Sequence, residues 1–444
     1  MRFFYFLFIL SYINAVQAQD DLSVLKLEGE EINWQQFPDF ELPFIVVYDG
    51  PVPSDGSAVP LRKGFSHISG GTTAYNVVIP KEKRVYLWTG IANADGWAKK
   101  TDQPWALAKL PWGNDIAGYR KAWWNRLKYI TKVWSKLDSS EMGFDLIIAD
   151  IENTLQSKSE ILSVKYSPLV PESYRGLSDG EFINEYHRAM RELYNAPIQL
   201  LKDSIGSHQS VSSYGDTPIQ RDWWGIQKHS WRSWRSDAER VNFLLKEDGG
   251  GPNSLFYDNL DYISPSAYYF YDPRKSSIGN NYLAYLLFQI EANGEWSNKK
   301  QLVFIWLNFH DSDLGDMEPI TAEMAEASSI FPLISGAGIY NWRMAGNKKG
   351  NYEYFVRGLY RMSKFSFFFD GSEIYLKPTN PRDEFVGKSP IWRGVYNNGK
   401  LLIAAHNPHA IPGQKTKMKI QFEGMPFEFE LDGLEVFLEE FDVN

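Results

Sequence analysis

Short apolar runs, separated by long stretches of helical or irregular character, set the rhythm of this chain. Eight of them, at residues 44–48, 74–79, 84–89, 144–151, 209–214, 262–268, 302–307 and 337–342, are bounded by Gly, Pro, Asp or Asn, as buried parallel strands tend to be. Between them lie helical stripes. Trp123, Leu127, Ile130 and Trp134 recur at helical spacing after the third run. Ser178-Asp179-Gly180-Glu181 forms a capping box, followed by Phe182, Tyr186, Ala189 and Leu193 on one face. Residues 281–292 and 321–330 supply helices on either side of the seventh run. This alternation predicts an α/β fold, a (β/α)8 barrel of the TIM type. Residues 51–71 look like a loop rather than a crossover helix. After Met362 the period changes to that of strands, at 374–376, 391–395, 401–405, 417–422, 427–431 and 434–438, with a turn at Asn397-Asn398-Gly399 and no helical period. The expected organisation is a barrel over residues 19–362 and a small antiparallel β-sandwich over residues 363–444.

The first residues fall outside both. Met1-Arg2 is positive, residues 3–13 are almost wholly apolar, and Val16-Gln17-Ala18 precedes a cleavage position. This is the layout of a signal peptide over residues 1–18, cut between Ala18 and Gln19. The apolar run falls short of the roughly 20 residues that span a bilayer, and no later run is longer, so no membrane insertion is expected. Cysteine is absent. An exported chain without disulfides has to rely on a large core, and without a cysteine at the cut it has no lipoprotein anchor. A secreted or periplasmic protein is expected. The net charge of -9 makes nucleic acid and anionic membrane surfaces poor partners. The 16 Trp and 25 Tyr supply flat faces with polar handles that suit sugar rings, although large barrels bury many aromatics in any case.

The segment carrying chemistry runs from Gly143 to Asn153. An apolar strand ends in Asp150 and Glu152, spaced by two and so on one side. Mutual repulsion between close carboxylates raises one pKa, and the raised group can protonate a glycosidic oxygen. The segment resembles the signature strand of family 18 glycoside hydrolases (chitinases and endo-β-N-acetylglucosaminidases), Asp-x-x-Asp-x-Asp-x-Glu. Asp145, Asp150 and Glu152 match its first, third and last acids, and Ile148 stands where the second Asp would be. It is also similar to the hyaluronidase family, whose strand ends in Asp-x-Glu without that second Asp. Residues 44–51 resemble the first hyaluronidase strand, and Pro265-Ser266-Ala267-Tyr268 its Pro-Ser-x-Tyr; Tyr269-Phe270-Tyr271-Asp272 resembles the family 18 Met-x-Tyr-Asp instead. Either Tyr268 or Tyr271 would then contact the substrate's acetamido oxygen. Trp342 matches the indole floor of the sugar subsite in both families.

The resemblance implies substrate-assisted retaining hydrolysis: Glu152 is the general acid, Asp150 orients the acetamido group, and no metal or cofactor is needed. Asp49, Asp145, Asp216, Asp272 and the indoles of Trp88 and Trp306 join the candidates for substrate contact. A substrate without an acetamido group would need a protein carboxylate as nucleophile or base, for which Asp49, Asp216, Asp272 and Asp311 stand at strand ends. The expected partner is an oligosaccharide or polysaccharide. A barrel glycosidase with two protein carboxylates and a glycan-binding protein without turnover stay open. Seven scattered histidines show no metal-ligand spacing. His310 with Asp311 and Asp313 borders the seventh run, and Asp311-Ser312-Asp313 lacks the rest of a calcium loop. Trp223, Trp224, Trp231 and Trp234, interleaved with Arg221, Arg232 and Arg235, fit either a cleft wall or an amphipathic helix.

Overall fold

The computed structural model describes residue 22 and residues 25–27, 29–91, 110–134, 143–151, 157–204, 209–247, 250–310, 317–343 and 349–443. The expected signal peptide lies outside them. Eight strands pair in parallel: β1 (Val46–Tyr48), β2 (His67–Ser69), β3 (Arg84–Trp88), β4 (Leu146–Ala149), β5 (Ser210–Ser213), β6 (Tyr262–Ile263), β7 (Lys300–Trp306) and β8 (Gly338–Trp342). Their order, β5-β4-β3-β2-β1-β8-β7-β6, follows the chain around a ring. The remaining seam is bridged at Tyr214 and Ser264, and Gly215 N–H donates to Ser264 O at 3.0 Å. The architecture is the expected barrel.

Strand alternation sorts the side chains. Val47, Val85, Leu146, Ile148, Leu302, Phe304 and Tyr340 cluster inside the ring. Tyr86, Trp88, Ile147, Ala149 and Val211 pack outward against helices. The predicted helices form where the stripes placed them. Trp123, Leu127 and Ile130 are buried on the helix Ile116–Trp134, with the Trp134 side chain outside the description. At the head of the helix Asp179–Ser204, Ser178 N–H donates to Glu181 Oε2 at 2.9 Å and Glu181 N–H to Ser178 Oγ at 3.4 Å. The capping box satisfies two end groups that the helix itself cannot.

One strand differs from expectation. The run at 74–79 is a short 3-10 turn, Thr72–Ala74, followed by irregular chain. Val77 and Val78 are 48% and 56% exposed between the buried Tyr75 and Ile79, so the run is irregular chain that anchors two side chains in the core and leaves its middle on the surface. The second strand is His67–Ser69 instead, inside the stretch taken as loop. With only three residues, two of them polar, it leaves no hydrophobic period to detect.

Beyond the barrel, β9 (Ile374–Leu376), β10 (Ile391–Asn397), β11 (Lys400–His406), β12 (Lys415–Phe422), β13 (Met425–Asp432) and β14 (Val436–Asp442) form a four-stranded sheet, β14-β11-β10-β9, and a β12-β13 ribbon. Asn398 and Gly399 take φ of 49° and 76° in the β10–β11 turn, the left-handed pair that Asn-Gly favours. The helix Pro381–Gly387 is an addition to the expected all-strand module. Leu401, Ile403 and Ala405 face the ribbon, whereas Leu402 and Ala404 join the barrel-side core. Among the described residues no helix is long and apolar enough to cross a membrane.

Candidate active site

Asp49 continues β1 by one residue, its N–H donating to Asn341 O at 3.0 Å. It therefore shares the inward side of Val47. Tyr340, inward on β8, donates its phenol to Asp49 Oδ2 at 2.7 Å, and Ser69 Oγ contacts the same phenol oxygen. Asp49 keeps some accessible surface. Burial nonetheless pushes its pKa up to about 6, against the downward pull of the Tyr340 and Ser69 hydroxyls and the Arg343 charge.

Asp150 lies at the end of β4, in inward register with Leu146 and Ile148, its N–H reaching Trp88 O at 3.4 Å. Burial is the main reason that the Tyr268 and Tyr340 phenols sit well above the usual range, and the Asp150 charge adds to it in both. The Tyr268 ring stacks on Trp342 at 5.6 Å and 24° and meets Trp306 edge-on at 5.8 Å. Trp306 and Trp342 cross at 5.1 Å and 74°. The mouth of the barrel thus joins carboxylates, phenols and two indoles. His310 extends it, with its ring 6.0 Å from Trp306 and 5.1 Å from Phe270.

Several sequence candidates stand elsewhere. Asp145 precedes β4, five residues or about 16 Å of strand from Asp150, and its Oδ2 lies 3.2 Å from His67 Nε2 at the opposite end of the barrel. Trp88 faces outward and is buried edge-on against Trp123 at 6.3 Å; the odd–even register of β3 turns it away from the mouth. Tyr271 packs on Trp223 and Trp224 at 5.3 and 5.6 Å, so Tyr268 is the tyrosine that shares surroundings with Asp150. Asp272 is 1% exposed and gripped by both Nε and Nη2 of Arg274, so it serves as a turn anchor. Asp216 is buried and accepts from Ser213 Oγ at 2.6 Å. Ser213 shares the outward register of Val211, which puts Asp216 behind the ring, where burial pushes its pKa up to about 7. Glu152, Asp311 and Asp313 lie outside the described residues.

The tryptophan-rich stretch divides between its two readings. Trp223 and Trp234 are buried, while Trp224 is 46% exposed. The Arg221 guanidinium covers Phe270 at 5.0 Å. Sequence reasoning missed Tyr340 and Ser69. The signal was present, since Tyr340 stands two residues before Trp342 on the same strand face, but a tyrosine inside an apolar run looks like core. Among the described residues, no three His, Asp or Glu side chains are placed to hold a metal ion.

No protein-family model and no curated protein matches the chain. Solved structures with a similar course include bee venom hyaluronidase in complex with a hyaluronic acid tetramer, at 12% identity and a TM-score of 0.36 over 56% of this chain and 75% of that one. A GH30 endoxylanase from Clostridium papyrosolvens C71 gives 14% and 0.32 over 91% and 99%. A GH27 β-L-arabinopyranosidase from Geobacillus stearothermophilus gives 8% and 0.38 over 92% and 97%. At such identities and scores the likeness carries no chemistry across, and the mouth of the barrel has to speak through its own residues.

Proposed function

We propose that the protein is an exported glycoside hydrolase acting on an N-acetylhexosamine-containing or related glycan, with Glu152 as general acid and Asp150 as the acid that orients the substrate and steadies its developing positive charge. One observation supports this above the rest: Asp150 points into the mouth of the barrel beside Tyr268, which is stacked on Trp342 and flanked by Trp306. Indole faces cover the apolar C–H side of a sugar ring, and an acid beside them meets its polar edge. In an (β/α)8 barrel this is the end where chemistry is built. Glu152 follows Asp150 by two residues, the spacing that keeps strand neighbours on one side. Export rests on the layout of residues 1–18.

The test is product release from a panel of chitin, cellulose, xylan and galactan oligomers and glycoprotein glycans. Wild type is expected to release sugar. Glu152→Gln is expected to lose about 10²–10⁴-fold in turnover, the usual worth of a positioned acid, while still binding. Sugar binding without release from any panel member would leave a glycan-binding protein instead.

A further inference from the structure

We infer that the site continues past Trp342 and Trp306, along His310 and Phe270 to Arg221, and that Arg221 binds the hydroxyls of a further sugar unit. The protein then acts on chains of several units rather than on a single terminal sugar. This rests on the hydrolase reading above and names the size of substrate that the same site takes.

Four rings in contact mark the course. Trp342 and Trp306 cross at 5.1 Å, Trp306 meets His310 edge-on at 6.0 Å, and His310 lies against Phe270 at 5.1 Å. Trp342 and Trp306 end β8 and β7, whereas His310 and Phe270 stand in the chain beyond β7 and β6, so the row runs from the strand ends into the loops. His310 N–H donates to Tyr269 O at 2.7 Å, which ties those two loops together. Trp342, His310 and Phe270 are half-buried, so each keeps part of a flat side that suits the C–H side of a sugar. At the outer end the Arg221 guanidinium covers Phe270 at 5.0 Å. Arg221 is exposed and forms no ion pair among the described residues. The ring holds one face of the guanidinium, and the N–H groups around its edge are left to donate to hydroxyl oxygens.

The turn that carries Arg221 is anchored from below. Gly225 N–H donates to Asp222 Oδ1 at 2.6 Å and closes the turn. Trp223 is buried against Tyr271, Tyr285 and Phe385 at 5.3, 4.8 and 5.4 Å. Phe385 belongs to the helix Pro381–Gly387 of the C-terminal module, and Arg382 on that helix donates from Nε to His229 O at 3.1 Å. The module therefore braces the segment that presents Arg221, which gives it a part in substrate binding without touching the sugar. A donor fixed before the ligand arrives gives up less freedom on binding than a loose one.

The test is a ladder of oligomers of whichever panel glycan is cleaved, from the shortest that reacts upward. In wild type, kcat/KM is expected to rise about 10–100-fold once the chain reaches Arg221, the worth of hydrogen bonds to a charged group. Arg221→Ala removes an exposed side chain, and its melting temperature checks that the fold is kept. In this variant most of the gain with length is expected to vanish, through a higher KM on the long oligomers. A wild type whose kcat/KM is flat along the ladder, or an Arg221→Ala that keeps the full gain, overturns the inference while the hydrolase stands. If no glycan is cleaved, the hydrolase reading falls and the same ladder is read as Kd. Tighter binding of longer chains by wild type but not by Arg221→Ala then supports the outer position, and any other binding pattern overturns it.

Discussion

Asp49 and Asp216 are both strand-end aspartates held by a hydroxyl, yet register gives them different fates. Asp49 faces the interior of the ring, and Asp216 lies behind it with Ser213. Asp216 is the more deeply buried, and burial pushes its pKa up to about 7. Its folded value exceeds the unfolded one, so the native state keeps the proton longer than the unfolded chain does. The stability cost of ionising it therefore grows as pH rises from about 4 through 7. Asp216→Asn keeps an oxygen for Ser213 and carries no charge. It is expected to raise stability at pH 8, on the order of 1–4 kcal/mol, and to change little at pH 4, as thermal melts at the two pH values would show. At this scale the identities of Asp49 and Asp150 were legible in the sequence. Their different company was not, because Tyr340 and Ser69 come from strands 291 and 20 residues away from Asp49 in the chain.

Elements with a strong local signature formed as expected. The helix Asp179–Ser204 buries Phe182, Tyr186, Ala189 and Leu193 on one face and opens on the Ser178–Glu181 box. Ser178→Ala removes the acceptor for Glu181 N–H and is expected to cost about 0.5–2 kcal/mol in denaturant unfolding, without affecting the barrel mouth. Weak signatures behaved otherwise. β2 and β6 have three and two residues, and a ladder so short draws its stability from flanking strands rather than from its own side chains. The run at 74–79 shows the converse: Val77 and Val78 are apolar but exposed, so composition suggested a strand where nothing pairs. Trp88 failed for a third reason. It stands at a strand end as supposed, but one residue of register decides between mouth and helix layer.

Across the whole molecule, the C-terminal module is tied to the barrel by more than apolar contact. Arg393 on β10 is 1% exposed and bonds Glu384 at 2.8 Å and Glu291, on the barrel helix Tyr282–Gly294, at 2.5 Å. His406 Nδ1–H donates to Glu435 O at 2.9 Å, which leaves Nε2 of the neutral ring to accept from the Tyr282 phenol at 2.6 Å. Arg393→Met would leave two buried carboxylates without their counter-charge. A loss of about 3–5 kcal/mol is expected, read as a lower denaturation midpoint. Adding Glu291→Gln and Glu384→Gln should recover much of it; a triple variant as unstable as the single would show that packing, rather than charge, is what Arg393 supplies. Both acids and the arginine are unremarkable in the sequence, where 102 residues separate Glu291 from Arg393.

By itself the sequence determined the alternation of strands and helices, the change of period after Met362, and the place of Asp150 just past the fourth strand. Each of these is written in neighbouring residues through the periods of 2 and 3.6. The tertiary structure alone decided which side chains meet. Closing eight strands into a ring brings Tyr340, Ser69 and Asp49 together, separates Asp145 from Asp150 by the length of β4, and turns Trp88 and Asp216 away from the mouth. Those outcomes depend on strand order, register and ring closure, which no local pattern encodes.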